Sequence, residues 1–426
     1  MRYLLLLLAS TVNDYTMALL IAKFRESSYK KLFLSLSILG NLGMLMYFKY
    51  VNFFIDSFNT LMNSFGIGTS LPILNVVLPI GISFYTFQSL AYVISVYRGN
   101  LKATSDFIGF SAFICFFPQL VAGPIERPGH LLTQFFIKRE FSYDKAVLAS
   151  KQIVWGFFKK LVIADTCAEN VNYIFNNYET LNGSLLALGA VYFAFQIYGD
   201  FSGYSDIALG TARLLGFDLT VNFKTPYFST TVGEFWSRWH ITLSNWFKDY
   251  VYIPLGGGKV STLKRYRNIL VVFLLSGFWH GANWTFIIWG GLNAFYMIGE
   301  QVIWKKVVAL KERNPFFLVL NIVITFCLIT FAWIFFRSAN LSEALDYIRH
   351  IFSKTIFSSP GNPNLKLTAL FLILILLITD YLNRKEYFQF VWRGYPKWVQ
   401  VLFIYASFAG MIYFSKSQAS FIYFQF

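Results

Sequence analysis

The amino-acid sequence predicts an all-α integral membrane protein that crosses the membrane many times. Of its 426 residues, 56% are hydrophobic and only 13% are charged, whereas soluble domains carry about 25% charged residues. The mean hydropathy is +0.52, and the apolar residues fall into runs of about 20, the length of helix that spans the hydrocarbon core. We therefore expect one membrane-embedded domain over residues 1–426 rather than two or three soluble domains.

The net charge of +15 supports this fold class because of where the basic residues lie. They form short clusters between apolar runs, which is typical of the cytoplasmic loops of membrane proteins. No soluble basic module remains to bind nucleic acid, so membrane lipid is the expected neighbour of these residues. The clusters are Lys23–Arg25–Lys30–Lys31, Lys138–Arg139, Lys159–Lys160, Lys264–Arg265–Arg267, Lys305–Lys306, Lys311–Arg313 and Arg384–Lys385.

Ten apolar segments are candidates to enter the membrane, and several are short or interrupted, so we expect about eight to eleven membrane segments. The first, from about Tyr3 to Ala22, is predicted to be a helix rather than a signal peptide, because no small-residue cleavage pattern follows its leucines. Segment 107–122 runs into Gly123 and Pro124 and is expected to be re-entrant. The segments occupy roughly 3–22, 32–55, 74–97, 107–122, 153–175, 184–199, 269–292, 316–336, 366–383 and 398–414.

The middle of the chain, residues 196–268, is more polar and is expected to hold buried or interfacial elements. Thr231 and Glu234 predict a capping box that opens a helix running to about Tyr250. Helical spacing places apolar and polar side chains on different faces, which predicts an amphipathic helix in or under the headgroup layer. The apolar face holds Trp236, Trp239, Leu243, Phe247 and Tyr250, and the polar face holds Glu234, Arg238, Thr242, Asn245 and Asp249.

His280 is the strongest candidate for chemistry. Segment Ile269–Leu292 contains no Asp, Glu, Lys or Arg, and His280 is its one titratable side chain. A polar ring at membrane depth is costly without partners, so such a residue is a functional candidate; the alternative is a core histidine hydrogen-bonded for structural reasons. Gly277 and Gly281 have the small-xxx-small spacing that allows another backbone to approach closely.

The other three histidines are less distinctive. His240 lies at the edge of the predicted apolar face, where a functional role and an interfacial, snorkelling ring both remain open. His130 and His350 are expected to be structural or solvated. Asp200 and Asp206 flank Tyr204 and are predicted either to form a substrate or proton site or to cap helices at a break.

Several other chemistries have no support in the sequence. No HExxH or DxDxDG pattern occurs and the three cysteines lack CxxC spacing, so no protein-held metal is expected. No GxSxG elbow indicates a serine acyl-enzyme. A histidine without a nucleophilic Ser or Cys suits direct transfer, in which a neutral imidazole takes the proton of an acceptor hydroxyl as the oxygen attacks a thioester.

Several long strings, in one order along most of the chain, are similar to motifs of a known family. Through them the sequence resembles the membrane-bound O-acyltransferases, and most closely the bacterial branch that includes the alginate O-acetyltransferase membrane subunit. The strings are LPIGISFYTFQSLAYVISVYRG (78–99), FFPQLVAGPIERP (116–128), GDFSGYSDIALGTARLLGFDL (199–219), NFKTPYFSTTVGEFWSRWHITLSNWFKDYVYIPLGG (222–257), GFWHGANWTFIIWG (277–290), AWIFFRSANLSEAL (332–345) and FIYFQF (421–426).

The resemblance implies a site and an architecture. His280 matches the family's essential WHG histidine, and His240 matches a second one, in a WHxSL-like stretch where this chain has Thr242. The implied fold is a ring of helices around a central tunnel, with re-entrant and interfacial helices and core motifs over 78–290. About two membrane segments expected upstream are missing, so we expect a truncated or mis-assigned start. The residues predicted to bind substrate are Trp239, Asn245, Trp279, Asn283, Asp200 and Tyr204.

The same resemblance implies O-acetylation of an exported cell-envelope polysaccharide, such as alginate, by a multi-pass protein of the bacterial cytoplasmic (inner) membrane. No tightly bound cofactor is expected; acetyl-CoA or another acyl thioester is the co-substrate. The expected partners are the polysaccharide acceptor, a periplasmic or extracellular acetyltransferase- or esterase-like protein and, as an alternative donor, an acyl carrier protein. The alternatives are D-alanyl or other acyl transfer to teichoic acid or peptidoglycan, a transporter in which His280 relays protons, and an inactive scaffold.

Overall fold

The computed structural model describes residues 2–68, 70–304, 315–360, 365–384, 395–414 and 421–422. Helices fill most of these ranges and no strand occurs in them, which confirms the all-α prediction. Outside the described ranges lie the basic clusters within 305–313, Lys385, and residues 423–426 of the terminal string. Five of the described helices are long and apolar enough to cross a membrane: Tyr3–Lys23, Tyr29–Ser64, Gly183–Leu214, Pro315–Arg337 and Lys397–Phe414.

The chain divides into two compact units, the first formed by Met1–Glu140 with Gly216–Leu219 and the second by Phe141–Leu215 with Thr220–Phe426. In the first unit, α2 (Tyr29–Leu45) continues through a π-helical turn into α3 (Val51–Ser64), so that one long helix replaces the shorter predicted span 32–55. Its helices are α1 (Arg2–Lys23), α2 (Tyr29–Leu45), α3 (Val51–Ser64), α4 (Ile82–Tyr97), α5 (Phe107–Ile114) and α6 (Pro128–Gln134).

The apolar run 107–122 is helical only over α5. Beyond Ile114 the chain continues mainly as turns to Ala122. Pro118 explains part of this difference, because proline lacks a backbone N–H and disfavours helical geometry in the residue before it. The helix thus covers half of the apolar run, and the re-entrant course expected for this segment stays a prediction.

A buried carboxylate joins α1 to α2. Asp14 accepts hydrogen bonds from Ser37 Oγ at 2.6 Å and from Asn41 Nδ2 at 2.8 Å, and Ser10 Oγ donates to Asn41 Oδ1 at 3.0 Å. Ionisable groups within membrane helices are retained where such partners surround them. This polar cluster fixes how the two predicted spanning helices face each other.

The second unit is built around α9 (Gly183–Leu214), a helix of 32 residues that is largely buried. Two ion pairs attach it to the π-helical segment Lys159–Ala164: Lys159 contacts Asp206, and Lys160 contacts Asp200 at 3.0 Å. The described helices of this unit are α7 (Tyr143–Phe158), α8 (Asp165–Asn176), α9 (Gly183–Leu214), α10 (Val232–Arg238), α11 (Ile241–Phe247), α12 (Thr262–His280), α13 (Trp284–Gly299), α14 (Pro315–Arg337), α15 (Leu341–Ile351), α16 (Thr368–Asn383) and α17 (Lys397–Phe414).

Candidate active site

His240 lies at a break between α10 and α11. The capping box begins α10 as predicted: Thr231 Oγ1 accepts from the Glu234 N–H at 3.0 Å, although the Glu234 carboxylate accepts from Thr230 rather than from the cap residue. The helix then ends at Arg238. His240 has φ 42° and ψ 53°, a left-handed conformation that costs a non-glycine residue roughly 1–2 kcal/mol. The prediction of one continuous helix to about Tyr250 is therefore wrong.

The physical reason for the break is a neighbouring stretch of backbone that competes for the hydrogen bonds of the helix. The Lys224 N–H donates to the Arg238 carbonyl at 2.9 Å, and the Ile241 N–H donates to the Asn222 carbonyl at 3.0 Å. These bonds on either side of His240 hold its strained backbone. A periodic pattern within 231–250 contains no information about this distant partner.

The imidazole of His240 is held inside the protein rather than at its surface. The residue is 1% exposed, and its Nδ1 lies 3.1 Å from Asn222 Oδ1. The ring of Phe201 packs edge-on against it, with 4.7 Å between ring centroids. Burial lowers the pKa of His240 to about 3, so the ring is neutral at physiological pH. The interpretation of His240 as a snorkelling interfacial histidine is wrong.

His280 is the last residue of α12, and the predicted span 269–292 is a helical hairpin instead of one helix. Gly281 is extended, and the Asn283 side chain caps α13 by accepting from the Thr285 N–H at 3.0 Å. Asparagine is a strong N-cap residue, which explains the new helix start. The chain therefore turns immediately after His280.

Glycines allow the two helices of this hairpin to touch. A Cβ at Gly277 would lie 2.2 Å from the Phe286 carbonyl oxygen, and one at Gly290 would lie 2.3 Å from the Phe273 carbonyl oxygen. Neither position has room for a side chain. The predicted close backbone approach at Gly277 is confirmed, and it sets the position of the α12 end that carries His280.

Aromatic side chains surround the His280 ring. The residue is 7% exposed, and its ring centroid lies 5.1 Å from that of Trp289 and 5.2 Å from that of Phe336. Trp279 lies beside both candidate histidines, with its ring centroid 5.0 Å from His280 and 6.2 Å from His240. Residues 40 positions apart in the sequence are thus brought to the same site.

His240 and His280 line one cavity of about 330 Å³ between α10, α11, α12 and α13. This volume lies at the small end of the range of ligand pockets, about 300–1,000 Å³. The walls are largely apolar, with hydroxyl, amide and ammonium groups set among the apolar side chains. The polar lining residues besides the two histidines are Ser237, Ser244, Asn245, Lys248, Ser276 and Gln301, with Trp236 and Tyr252 adding an indole and a phenol.

The structure separates the six predicted substrate-binding residues. Asn245 lines the cavity, and Trp279 contacts both histidines. The other four are not among the residues that line the cavity. Trp239 is packed against Phe223 and Trp333, Asn283 caps α13, Asp200 pairs with Lys160, and Tyr204 packs against Phe421. Their predicted role in binding substrate has no support from this placement and stays a prediction.

The sequence interpretation missed two kinds of residue. Asn222 contacts the His240 ring and is itself held by Thr242, and Thr242 is buried although it was placed on the predicted polar face. Asn222 is 18 positions from His240, and no local pattern links them. Ser276 also lines the cavity, and its i,i+4 spacing to His280 on α12 was a signal that could have revealed it.

The two remaining histidines have local partners, as predicted. His130 Nδ1 lies 2.8 Å from Glu126 Oε2, and this hydrogen bond raises the pKa of His130. His350 Nδ1 lies 2.8 Å from the Asp346 carbonyl oxygen of its own helix. Neither lines the cavity.

Comparison with known proteins places this site in context. Residues 100–339 match the model of the membrane-bound O-acyltransferase family. The chain is 39% identical to the probable alginate O-acetylase of Pseudomonas aeruginosa over 392 residues, 91% of this chain and 74% of that protein. It is 40% identical to the probable alginate O-acetylase of Azotobacter vinelandii over 401 residues, 93% and 78% of the two chains.

A relative named for a different acceptor is also similar. The peptidoglycan O-acetyltransferase of Helicobacter pylori is 36% identical over 374 residues, which cover 82% of this chain and 70% of that protein. The range matched by the family model contains every residue that lines the His240–His280 cavity.

Proposed function

Because the chain belongs to the membrane-bound O-acyltransferase family and is therefore a multi-pass membrane O-acyltransferase, we propose that it acetylates hydroxyl groups of an exported cell-envelope polysaccharide such as alginate. The observation that carries this proposal is the placement of His240 and His280 on one small, largely apolar cavity. The names of the two alginate O-acetylase relatives support the acceptor class. We place the protein in the bacterial inner membrane.

The chemistry follows from the two rings. His280 takes the proton of an acceptor hydroxyl as its oxygen attacks the thioester carbonyl carbon. The C–S bond breaks as the new C–O bond forms, and the departing thiolate receives the proton from His280, which regenerates the neutral imidazole. His240, neutral because it is buried, helps to position the reacting groups.

The donor is acetyl-CoA from the cytoplasm in this proposal. A cavity of about 330 Å³ has room for an acetyl thioester and the adjoining chain but not for the whole of coenzyme A. The nucleotide end is therefore expected to stay outside the cavity. An acyl carrier protein would present the same kind of thioester and is the alternative donor.

On the exported side, a periplasmic acetyltransferase- or esterase-like partner completes transfer to the polysaccharide. Peptidoglycan is the second candidate acceptor, and the Helicobacter pylori relative is the observation that favours it. Both acceptors offer sugar hydroxyls. His280 performs the same proton transfer for the hydroxyl that first receives the acetyl group, whichever of the two acceptors the partner then acetylates. The two acceptors differ in the part of the glycan that lies outside the cavity.

The test is to express the wild-type chain, His280→Ala and His350→Ala in a host lacking its own enzyme, with membrane abundance measured for each. Acyl groups released by mild alkali are then identified and assigned to purified polysaccharide or peptidoglycan. We expect acetate on the polysaccharide for wild type and the His350 control, and a loss of about 10²- to 10⁴-fold for His280→Ala. Acetate at normal levels with His280→Ala would refute the mechanism, and released D-alanine would refute the donor and product.

A further inference from the structure

The side-chain amide of Asn222 makes three contacts through the same atom. Its Oδ1 lies 2.9 Å from Thr242 Oγ1, 3.3 Å from the Thr242 backbone nitrogen and 3.1 Å from His240 Nδ1. Asn222 is 0% exposed, and its backbone carbonyl accepts from the Ile241 N–H. The residue thus contacts the two residues that follow His240 as well as its ring.

These contacts determine which amide atom faces the ring. A backbone N–H can only donate, so the atom of Asn222 that faces Thr242 N must be the acceptor oxygen and not the amide nitrogen. The same oxygen faces His240 Nδ1, so Nδ1 must donate and carries the hydrogen. A neutral imidazole has one N–H, which leaves the lone pair on Nε2.

We propose that Asn222 is a positioning residue that holds His240 as the Nδ1-protonated tautomer, which leaves Nε2 as the hydrogen-bond acceptor of the ring. This inference rests on the proposed function and sharpens the role of His240 in it. A ring in this tautomer accepts a hydrogen bond from a substrate N–H or O–H other than the hydroxyl hydrogen that His280 removes, and so helps to position that substrate. It cannot donate from Nε2 to the oxyanion that forms on the carbonyl oxygen.

The surroundings make the arrangement stable. Phe201 packs edge-on against the ring, which opposes rotation that would exchange the two nitrogens. The left-handed backbone at His240 is held by the hydrogen bonds of Asn222 and Lys224. Because burial opposes the cationic form, the tautomer and not the charge is what Asn222 selects.

The direct test is nitrogen-15 NMR of the full chain, labelled at histidine, in lipid nanodiscs. The chain has four histidines, so the His240 signals are identified by their loss in His240→Asn. We expect a pyrrole-type Nδ1 and a pyridine-type Nε2 for wild-type His240. In Asn222→Ala this preference should be lost, and in Asn222→Asp, which keeps an acceptor oxygen, Nδ1 should stay protonated.

Kinetics provide the second readout. We expect Asn222→Ala to lower kcat at least about tenfold, in the direction set by loss of the correct tautomer in other histidine sites, with less than a threefold change in the KM for the donor. Asn222→Asp should recover part of kcat. Asn170→Ala is the matched control: Asn170 is also buried and bonded to backbone, with Lys366, and does not line the cavity. It should lower abundance at most and leave kcat per molecule unchanged.

The outcomes separate this proposal from the proposed function. A pyridine-type Nδ1 in the wild-type protein, or wild-type kcat in Asn222→Ala, overturns the role of Asn222 even if His280→Ala is inactive. Activity in His280→Ala overturns the acyl-transfer mechanism and leaves the tautomer measurement intact. If Asn222→Ala does not fold, the wild-type and Asn222→Asp spectra still decide the tautomer.

Discussion

The glycine contact between α12 and α13 leads to a sharp prediction, because two adjacent glycines differ in what a methyl group would meet. A Cβ at Gly290 would lie 2.3 Å from the Phe273 carbonyl oxygen, whereas one at Gly291 would meet only Leu274 Cδ2 at 3.8 Å. A C···O contact needs about 3.3 Å. Gly290→Ala must therefore push the two helices apart by roughly 1 Å, while Gly291→Ala needs no movement.

The expected effects follow from that displacement. Overpacking of this kind costs about 1–3 kcal/mol, and a shift of about 1 Å near a catalytic group lowers activity by about 10²-fold. Gly291→Ala should be neutral or stabilising by up to about 1 kcal/mol, because alanine favours helix more than glycine does. The assay combines thermal unfolding in detergent with acetyl transfer per molecule of protein. Equal stability and activity for the two variants would refute the packing argument.

Four further predictions concern other sites. His240→Asn should lower turnover at least about tenfold with little change in melting temperature; wild-type turnover would contradict its role. Burial lowers the pKa of His240 to about 3, so between about pH 6.5 and 3 the unfolded state binds a proton that the folded state does not. As the pH falls through this range, the free energy of unfolding of wild type should therefore drop by up to about 1.4 kcal/mol per pH unit relative to that of His240→Asn. Parallel pH profiles for the two proteins would contradict this. Asn283→Ala should destabilise by about 0.5–2 kcal/mol by removing the α13 cap, and a raised acceptor KM at unchanged stability would instead indicate substrate binding. Asp206→Asn should lower the free energy of unfolding by about 3–5 kcal/mol, because it leaves Lys159 buried without its ion pair. Asp346→Asn removes a partner from an exposed pair and should change that free energy by less than about 1 kcal/mol. Similar losses for the two variants would contradict the argument from burial.

Composition and apolar runs predicted the parts of the fold that depend on local sequence. The helices Tyr3–Lys23 and Pro315–Arg337 lie close to the predicted spans 3–22 and 316–336. A spanning helix satisfies its backbone hydrogen bonds within itself and meets lipid with its side chains. The residues of one segment are therefore sufficient to predict such a helix.

The site depends on interactions that no single segment contains. The break at His240 is supported by backbone bonds to Asn222 and Lys224, and the break after His280 by an asparagine cap. Helical spacing predicted a continuous helix across the first break, and an uninterrupted apolar run predicted one span across the second. The two histidines were singled out from their sequence context, but their meeting at one cavity required the fold of α10 to α13.

In the proposed mechanism, acyl transfer takes place in the His240–His280 cavity with His280 as the proton acceptor. The most direct measurement is the initial rate of transfer of labelled acetyl from acetyl-CoA to glycan, in membrane vesicles that hold equal amounts of wild-type or His280→Ala protein together with the exported partner. We expect a rate at least about 10²-fold lower for His280→Ala. A rate within twofold of wild type would contradict this mechanism.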